Sequence, residues 1–120
     1  TVTDESEDER IAELIREAAL EGAREELPHS LAATVDDREE REAEPDGTPG
    51  LLEIYASIYV ERDSQKGIVI GRGGSRLREV GERARREIEA LIGRRVYLSL
   101  RVKVAKEWQR DPKALGRLGF

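Results

Sequence analysis

Gly71-Arg72-Gly73-Gly74 is the stretch whose residue types and spacing can do chemistry. A Gly-x-x-Gly loop carries no Cβ at either end, so its backbone can lie close against a chain of phosphates. A helix that starts directly after it turns free N–H groups and the positive end of its dipole toward the same anion. The guanidinium of Arg72 stands between the glycines. The chemistry implied is non-covalent capture of a polyanionic backbone. An apolar run, Ile68-Val69-Ile70, leads into the loop, and Ser75-Arg76-Leu77-Arg78 leads out of it.

Other glycine loops fit less well. A dinucleotide fingerprint begun at Gly71 and Gly73 would need its third glycine where Arg76 stands. A Walker A loop needs Lys and then Ser or Thr after its last glycine, and the chain has no such run. The plainer alternative is a turn whose glycines cap two helices.

The surrounding charge favours the polyanion. The 120-residue chain has a net charge of −5, but the charge is divided unequally. Residues 1–50 hold 5 Lys and Arg against 17 Asp and Glu, whereas residues 51–120 hold 16 against 9. A basic half beside an acidic half points to a polyanion-binding surface on the former. There is no Cys and only one His, so disulfides, thiolate sites and a zinc site are not expected, and a reducing compartment is the default. No apolar run approaches the ~20 residues of a membrane span. The length suits one small domain. The chain opens on Thr1, as a processed chain or a piece of a longer one would.

The elements that must position the loop follow from periodicity. Residues 4–26 read as a helix, with Asp4 as N-cap and Ile11, Leu14, Ile15 and Ala18 in one stripe. Leu31, Ala33 and Val35 suggest a short strand. Residues 36–50, almost devoid of apolar side chains, read as a long, mobile acidic loop. Leu52, Ile54, Ala56, Ile58 and Val60 alternate with Glu53, Tyr55, Ser57, Tyr59 and Glu61, the pattern of a strand with one buried face. Residues 75–92 form an amphipathic helix with Leu77, Val80, Ala84, Ile88 and Leu91 on its apolar side, ended by Gly93. Glu79 with Arg83 and Glu82 with Arg86 are expected as i,i+4 pairs, and Arg76 and Arg83 share a flank. A third strand runs through Val96 to Val104 with a basic polar face, and Asp111-Pro112 opens a last short helix.

Placed on that framework, an RNA strand is expected to meet the backbone N–H groups of Arg72 through Ser75. Lys66, Gly67, Arg76 and Arg78 lie around the loop, the cations among them adding positive charge. Ile68 and Ile70 would form an apolar floor for unstacked bases, with the strand near Val60 as the other wall. Tyr55, Tyr59 and Tyr97 share the outward strand face, and are expected to pack under the terminal segment with Trp108, Leu115, Leu118 and Phe120 rather than to stack bases. His29 has no Ser, Cys or Asp constellation around it in sequence, and nothing here suggests catalysis.

Several longer motifs strengthen this reading. Leu27-Pro28-His29-Ser30, then Ile58-Tyr59-Val60-Glu61-Arg62-Asp63-Ser64-Gln65-Lys66-Gly67, then Ile68-Val69-Ile70-Gly71-Arg72-Gly73-Gly74 resemble the C-terminal KH domain of the Era family of bacterial GTPases. So do Val96-Tyr97-Leu98, Val102-Lys103-Val104 and the closing Trp108, Asp111-Pro112 and Leu118-Gly119-Phe120. The resemblance implies an α+β type II KH fold over residues 1–120. Its three-stranded mixed sheet would carry helices on one face, in the order α-β-β-α-α-β plus a C-terminal helix. It implies single-stranded RNA as partner, at the 3′ end of 16S ribosomal RNA during 30S subunit assembly, in the cytoplasm or at the periphery of the inner membrane. GTP and Mg would belong to a separate GTPase domain of the parent protein, leaving this chain without a cofactor and without GTP turnover. The competing expectation is a KH-like module that contacts a GTPase domain or ribosomal proteins.

Overall fold

The computed structural model describes residues 4–21, 23, 27 and 31–105. Within them the order is helix α1 (Asp4–Leu20), strand β1 (Ala32–Glu40), strand β2 (Leu52–Val60), helix α2 (Asp63–Ile70), a 3-10 turn (Arg72–Gly74), helix α3 (Ser75–Ile92) and strand β3 (Val96–Val104). The strands form one sheet in the order β1-β2-β3. β1 pairs antiparallel with β2, and β2 pairs parallel with β3. A parallel neighbour cannot be reached by a hairpin, so the chain between β2 and β3 crosses the sheet as α2 and α3. This is the mixed three-stranded α+β fold expected of a type II KH domain. The expected C-terminal helix, Trp108 and His29 lie outside the described residues.

The core forms where one sheet face meets the helices. Ile54, Ile58 and Val60 of β2 pack with Ile11 and Ile15 of α1, Val69 of α2 and Ala84 and Ile88 of α3, all without exposed surface. The alternation along β2 accounts for this: every second side chain faces the helices. Among the described residues no helix is long and apolar enough to cross a membrane.

Two elements depart from the sequence reading. α1 ends at Leu20 rather than near residue 26, where Gly22, a poor helix former, follows. The acidic loop expected over 36–50 is shorter, because β1 continues to Glu40. A β-bulge between Val35 and Asp37 reverses the parity of the strand. Ala33 and Val35 oppose the inward Ile58 and Ala56, but beyond the bulge it is Arg38 that opposes Ile54. An arginine on the helix-covered face needs a charged partner. Its two Nη atoms donate to Glu7 Oε1 at 2.6 Å and to Asp8 Oδ1 at 2.8 Å, both on α1. The acid-rich start of α1 and the acid-rich end of β1 are therefore held together by one cation. The remaining connection closes as a hydrogen-bonded turn: Arg41 N–H donates to Leu51 O, and Glu44 N–H to Thr48 O, each at 2.9 Å.

The outer sheet face is polar but satisfied. Tyr55 and Tyr97 meet edge to face with centroids 6.3 Å apart, and Lys103 Nζ lies 5.7 Å from the Tyr59 ring centroid. Ser57, fully buried, donates to Asp36. Glu53 accepts from the Tyr55 hydroxyl and from Arg41. The Tyr55 hydrogen bond, then that of Arg41, holds the Glu53 carboxyl below its ordinary range. A carboxyl with a depressed folded-state pKa stabilises the fold above the unfolded value, near 4.3, and loses that contribution as pH falls through the folded value. Glu53→Gln should therefore lower the melting temperature at pH 7. The gap to the parent protein should close as the pH is taken toward about 3. A gap independent of pH would exclude the charged network as its source.

Candidate nucleic-acid interface

α2 is brought to a stop and α3 started by three glycines that adopt positive φ. Gln65 secures the start of α2, its Oε1 accepting from the N–H groups of Glu61 and Arg62 at 3.0 Å each. The helix ends with Gly71 N–H donating to Gly67 O at 2.9 Å. Gly71 then takes φ 74° and ψ 176°, Gly73 φ 62° and Gly74 φ 79°. Side-chain-bearing residues resist these values, so the sharp reversal between the helices depends on glycine. Gly71 has a second reason: a Cβ there would lie 2.6 Å from Arg76 Cβ and 2.9 Å from Arg76 N. At the far end, Gly93 closes α3 with φ 75° and its N–H on Glu89 O at 2.8 Å, as the sequence suggested.

The loop's own bonds decide which amides are free. Gly74 N–H donates to Gly71 O at 3.2 Å, and Ser75 N–H donates to Arg72 O. Among the described residues this leaves the N–H groups of Arg72 and Gly73 unclaimed, rather than the whole run from Arg72 through Ser75. Arg72, Gly73, Ser75 and Arg78 are exposed, and Lys66 is half-buried one turn before the loop. Arg78 reaches back to Gly73 O only at 3.5 Å. These side chains present free positive charge and donors to an approaching anion.

Arg76 is placed differently. Its Nη2 donates to Ala19 O and to Glu21 O, both at 2.8 Å, at the end of α1. Arg83, on the same flank, reaches Glu21 at 3.4 Å and Glu87 at 3.1 Å. Arg85 pairs with Glu82 at 3.1 Å and Glu89 at 3.0 Å. The carboxylates, led by Glu87 for Arg83 and Glu82 for Arg85, raise both guanidinium pKa values. The i,i+4 pairs anticipated for Glu79 with Arg83 and for Glu82 with Arg86 are replaced by these.

The apolar surface beside the loop also moves. Val69 is fully buried, and Ile68 and Ile70 are half-buried against the core. Val60 has no exposed surface, because β2 is the central strand and the helices cover its inner face. The open groove next to the loop instead runs between α3 and β3. Gly74, Leu77, Gly81, Leu98 and Leu100 line its floor and Arg78, Glu82 and Arg85 its charged rim, with a volume of about 340 Å³. Gly81 keeps the groove low: a Cβ there would touch Leu100 Cδ1 at 3.8 Å. Sequence reasoning did not single out Leu77, Gly81, Leu98 or Leu100 as binding residues. A trace was present, since Gly81 sits inside a helix seven residues after Gly74 and four after Leu77, where glycine is costly without a packing reason.

β3 is an edge strand. Leu52 N–H donates to Arg95 O at 3.0 Å and Ala105 N–H to Val60 O at 2.8 Å. A parallel ladder in that phase turns the peptide groups of odd-numbered β3 residues toward β2 and those of Val96, Leu98, Leu100 and Val102 outward. The Val96 N–H is taken by Glu89 Oε2 at 2.8 Å. Leu98 and Leu100 thus place apolar side chains in the groove and present peptide donors and acceptors along the sheet edge. Among the described residues no group of three or more His, Asp or Glu side chains is placed to hold a metal ion.

A reversed-helix glycine loop, an apolar groove and an open strand edge on a mixed three-stranded sheet define a KH-type module. Residues 26–109 match the family model of the KH domain, and the chain belongs to that family. It is 64% identical over 119 residues to the GTPase Era of Mycolicibacterium smegmatis, and 65% identical over 119 residues to that of Mycobacterium tuberculosis strain H37Rv. In each case the match covers 99% of this chain and 38% of the relative, so the chain spans well under half the length of these proteins. A crystal structure of an Aquifex aeolicus Era variant bound to GDP.AlF4− superposes with a TM-score of 0.80 at 41% identity, covering 92% of this chain and 35% of that one. Era in complex with MgGDPNP and nucleotides 1506–1542 of 16S ribosomal RNA matches with a TM-score of 0.79 at 40% identity, covering 91% and 35%.

The glycines differ in what they do for the loop, and alanine separates them. Gly67 lies inside α2 with nothing within 4 Å of an added Cβ. Gly67→Ala should stabilise the fold by about 0.5–1 kcal/mol. Gly71→Ala meets both a positive φ and Arg76, and should cost about 2 kcal/mol or more. Urea unfolding of the two variants gives the comparison; equal effects would remove the loop geometry as the cause.

Proposed function

We propose that this chain is the RNA-binding part of an Era-like GTPase and binds single-stranded RNA through the Gly71–Gly74 loop and the groove beside it. Phosphates lie against the free N–H groups of Arg72 and Gly73, with Arg72, Arg78 and Lys66 adding charge. That part supplies affinity with little sequence information. Unstacked bases enter the groove over Leu77, Gly81, Leu98 and Leu100, the tight backbone at Gly74 and Gly81 leaving room for their flat faces. The outward peptide groups of Leu98 and Leu100 meet the base edges, which is where sequence is read in single strands. The observation that carries this reading is the adjacency, among the described residues, of free loop amides, a groove with an apolar floor and an outward-facing strand edge in one surface. The 16S ribosomal RNA fragment bound by a structural neighbour of 40% identity supports the choice of ligand. On this reading the RNA is the 3′ end of 16S ribosomal RNA in assembly of the 30S subunit. GTP and Mg are then handled by a GTPase domain outside these 120 residues, in a cytoplasmic protein.

Fluorescence anisotropy with a short single-stranded RNA matching the 3′ end of 16S ribosomal RNA, against a scrambled control at two salt concentrations, tests this. Binding should favour the matching RNA and weaken with salt. The double substitution Arg72→Asp with Gly73→Asp should abolish it and leave the fold intact. Asp tolerates a left-handed backbone better than most residues, and a Cβ at Gly73 has nothing within 4 Å. Unchanged affinity in the folded double variant would remove the loop from RNA binding. Retention of ribosomal proteins after ribonuclease treatment, with no RNA binding, would instead favour a protein-contact module.

A further inference from the structure

The free cations at the loop explain an anion site, but they do not explain why Arg76, in the first turn of α3, is turned away from it. Its guanidinium runs to the end of α1, where Nη2 is shared between Ala19 O and Glu21 O at 2.8 Å each. Ala19 O lies in the last turn of α1 and Glu21 O just beyond its end. Glu21 N–H donates to Glu17 O and Ala18 O, and Ala23 N–H donates to Leu20 O, so among the described residues no backbone donor serves Ala19 O or Glu21 O. The last carbonyls of a helix lack intrahelical partners and carry the negative end of its dipole. A guanidinium is the complementary cap. Arg76 Nε is also buried, without a partner among the described residues. Leaving a buried donor unmatched is costly, so the two carbonyl bonds must hold this side chain in place against that cost.

The same residue is tied to the loop by its backbone. The Gly71 backbone packs so close to Arg76 that a Cβ on it would lie 2.6 Å from Arg76 Cβ and 2.9 Å from Arg76 N. One residue therefore joins the first glycine of the loop, at its main chain, to the C-terminal end of α1, at its side chain. Arg83 adds a second strut from α3 to Glu21 at 3.4 Å, exposed and correspondingly weaker.

We propose that Arg76 is a positioning residue for RNA binding: it caps the end of α1 in trans and thereby fixes the backbone of Gly71–Gly74 in the form that receives phosphate, without touching RNA itself. This rests on the RNA-binding reading above. A phosphate-contacting arginine and a positioning arginine lower affinity alike but differ in salt dependence. Each phosphate contact to a single strand contributes about 0.7 to the slope of log K against log salt.

The test compares Arg76→Met, Arg76→Lys and Arg72→Met in the full chain by RNA anisotropy over a salt series, with exchange of the hydrogen-bonded amides of Gly71, Gly74 and Ser75 followed in parallel. All measurements are made well below the melting temperature of each variant. Arg76→Met should weaken binding roughly tenfold with the slope unchanged, and should speed exchange of the loop amides. Arg76→Lys, able to keep one carbonyl bond, should fall between it and the parent, and it remains available if the Met variant does not fold. Arg72→Met should weaken binding with a slope shallower by about 0.7. A slope that falls by the same amount in Arg76→Met would show direct phosphate contact and overturn the proposal. So would unchanged affinity or unchanged loop exchange in the folded Arg76 variants while Arg72→Met still loses binding. Absence of RNA binding by the parent chain would instead overturn the proposed function, and the positioning role with it.

Discussion

The parallel pairing of β2 with β3 is the constraint from which the rest follows. Two adjacent parallel strands cannot be joined by a turn, so residues 61–95 must leave the end of β2, cross one face of the sheet and return to the start of β3. The crossing is made by two helices rather than one. The short α2 and the long α3 meet at an angle that only a glycine-rich reversal permits, and that reversal is the loop. The same pairing leaves β3 at the edge of the sheet beside α3, with alternate peptide groups turned away from β2. Loop, groove and strand edge are thus consequences of one topological choice.

The opposite edge is managed by charge. β1 is also an edge strand, and its outer half carries Asp36, Asp37, Glu39 and Glu40. Exposed strand edges invite pairing with other chains, and charged side chains and bulges discourage it. The acids here do so, while the bulge at Asp36 turns Arg38 inward to bind Glu7 and Asp8. The acid-rich end of β1 and the acid-rich start of α1 thereby share one cation.

The helix that begins in the acidic half nevertheless serves the basic half at its other end. The carbonyls that close α1 need donors, and the first turn of α3 supplies one in Arg76. A side chain counted by position alone among the loop's positive charges is spent on an internal bond. Arg83 and Arg85 are likewise paired with carboxylates, so the charge available to a ligand is less than the composition suggests, and at the loop it comes from Arg72 and Arg78.

Much of this was legible in the residues. The strand from Leu52 to Val60, the apolar stripe of α3 ended by Gly93, and the glycine spacing at 71–74 depend on local periodicity and backbone freedom, and the structure keeps all three, though the polar face of β2 is also largely covered, with Glu53 and Ser57 buried. The full length of β1 was hidden because a bulge breaks the two-residue period that reveals a strand, and because its inward residue is an arginine satisfied by residues ~30 positions away. The groove residues Leu77, Gly81, Leu98 and Leu100 were hidden because they sit on the apolar faces of two elements, where packing and binding share one pattern. The sequence alone determined the elements, their faces and the loop, since these arise from interactions within a few residues. Only the tertiary structure decided which apolar side chains remain open, which arginines are paired and which strand edge lies beside the groove, since each depends on what distant segments bring alongside.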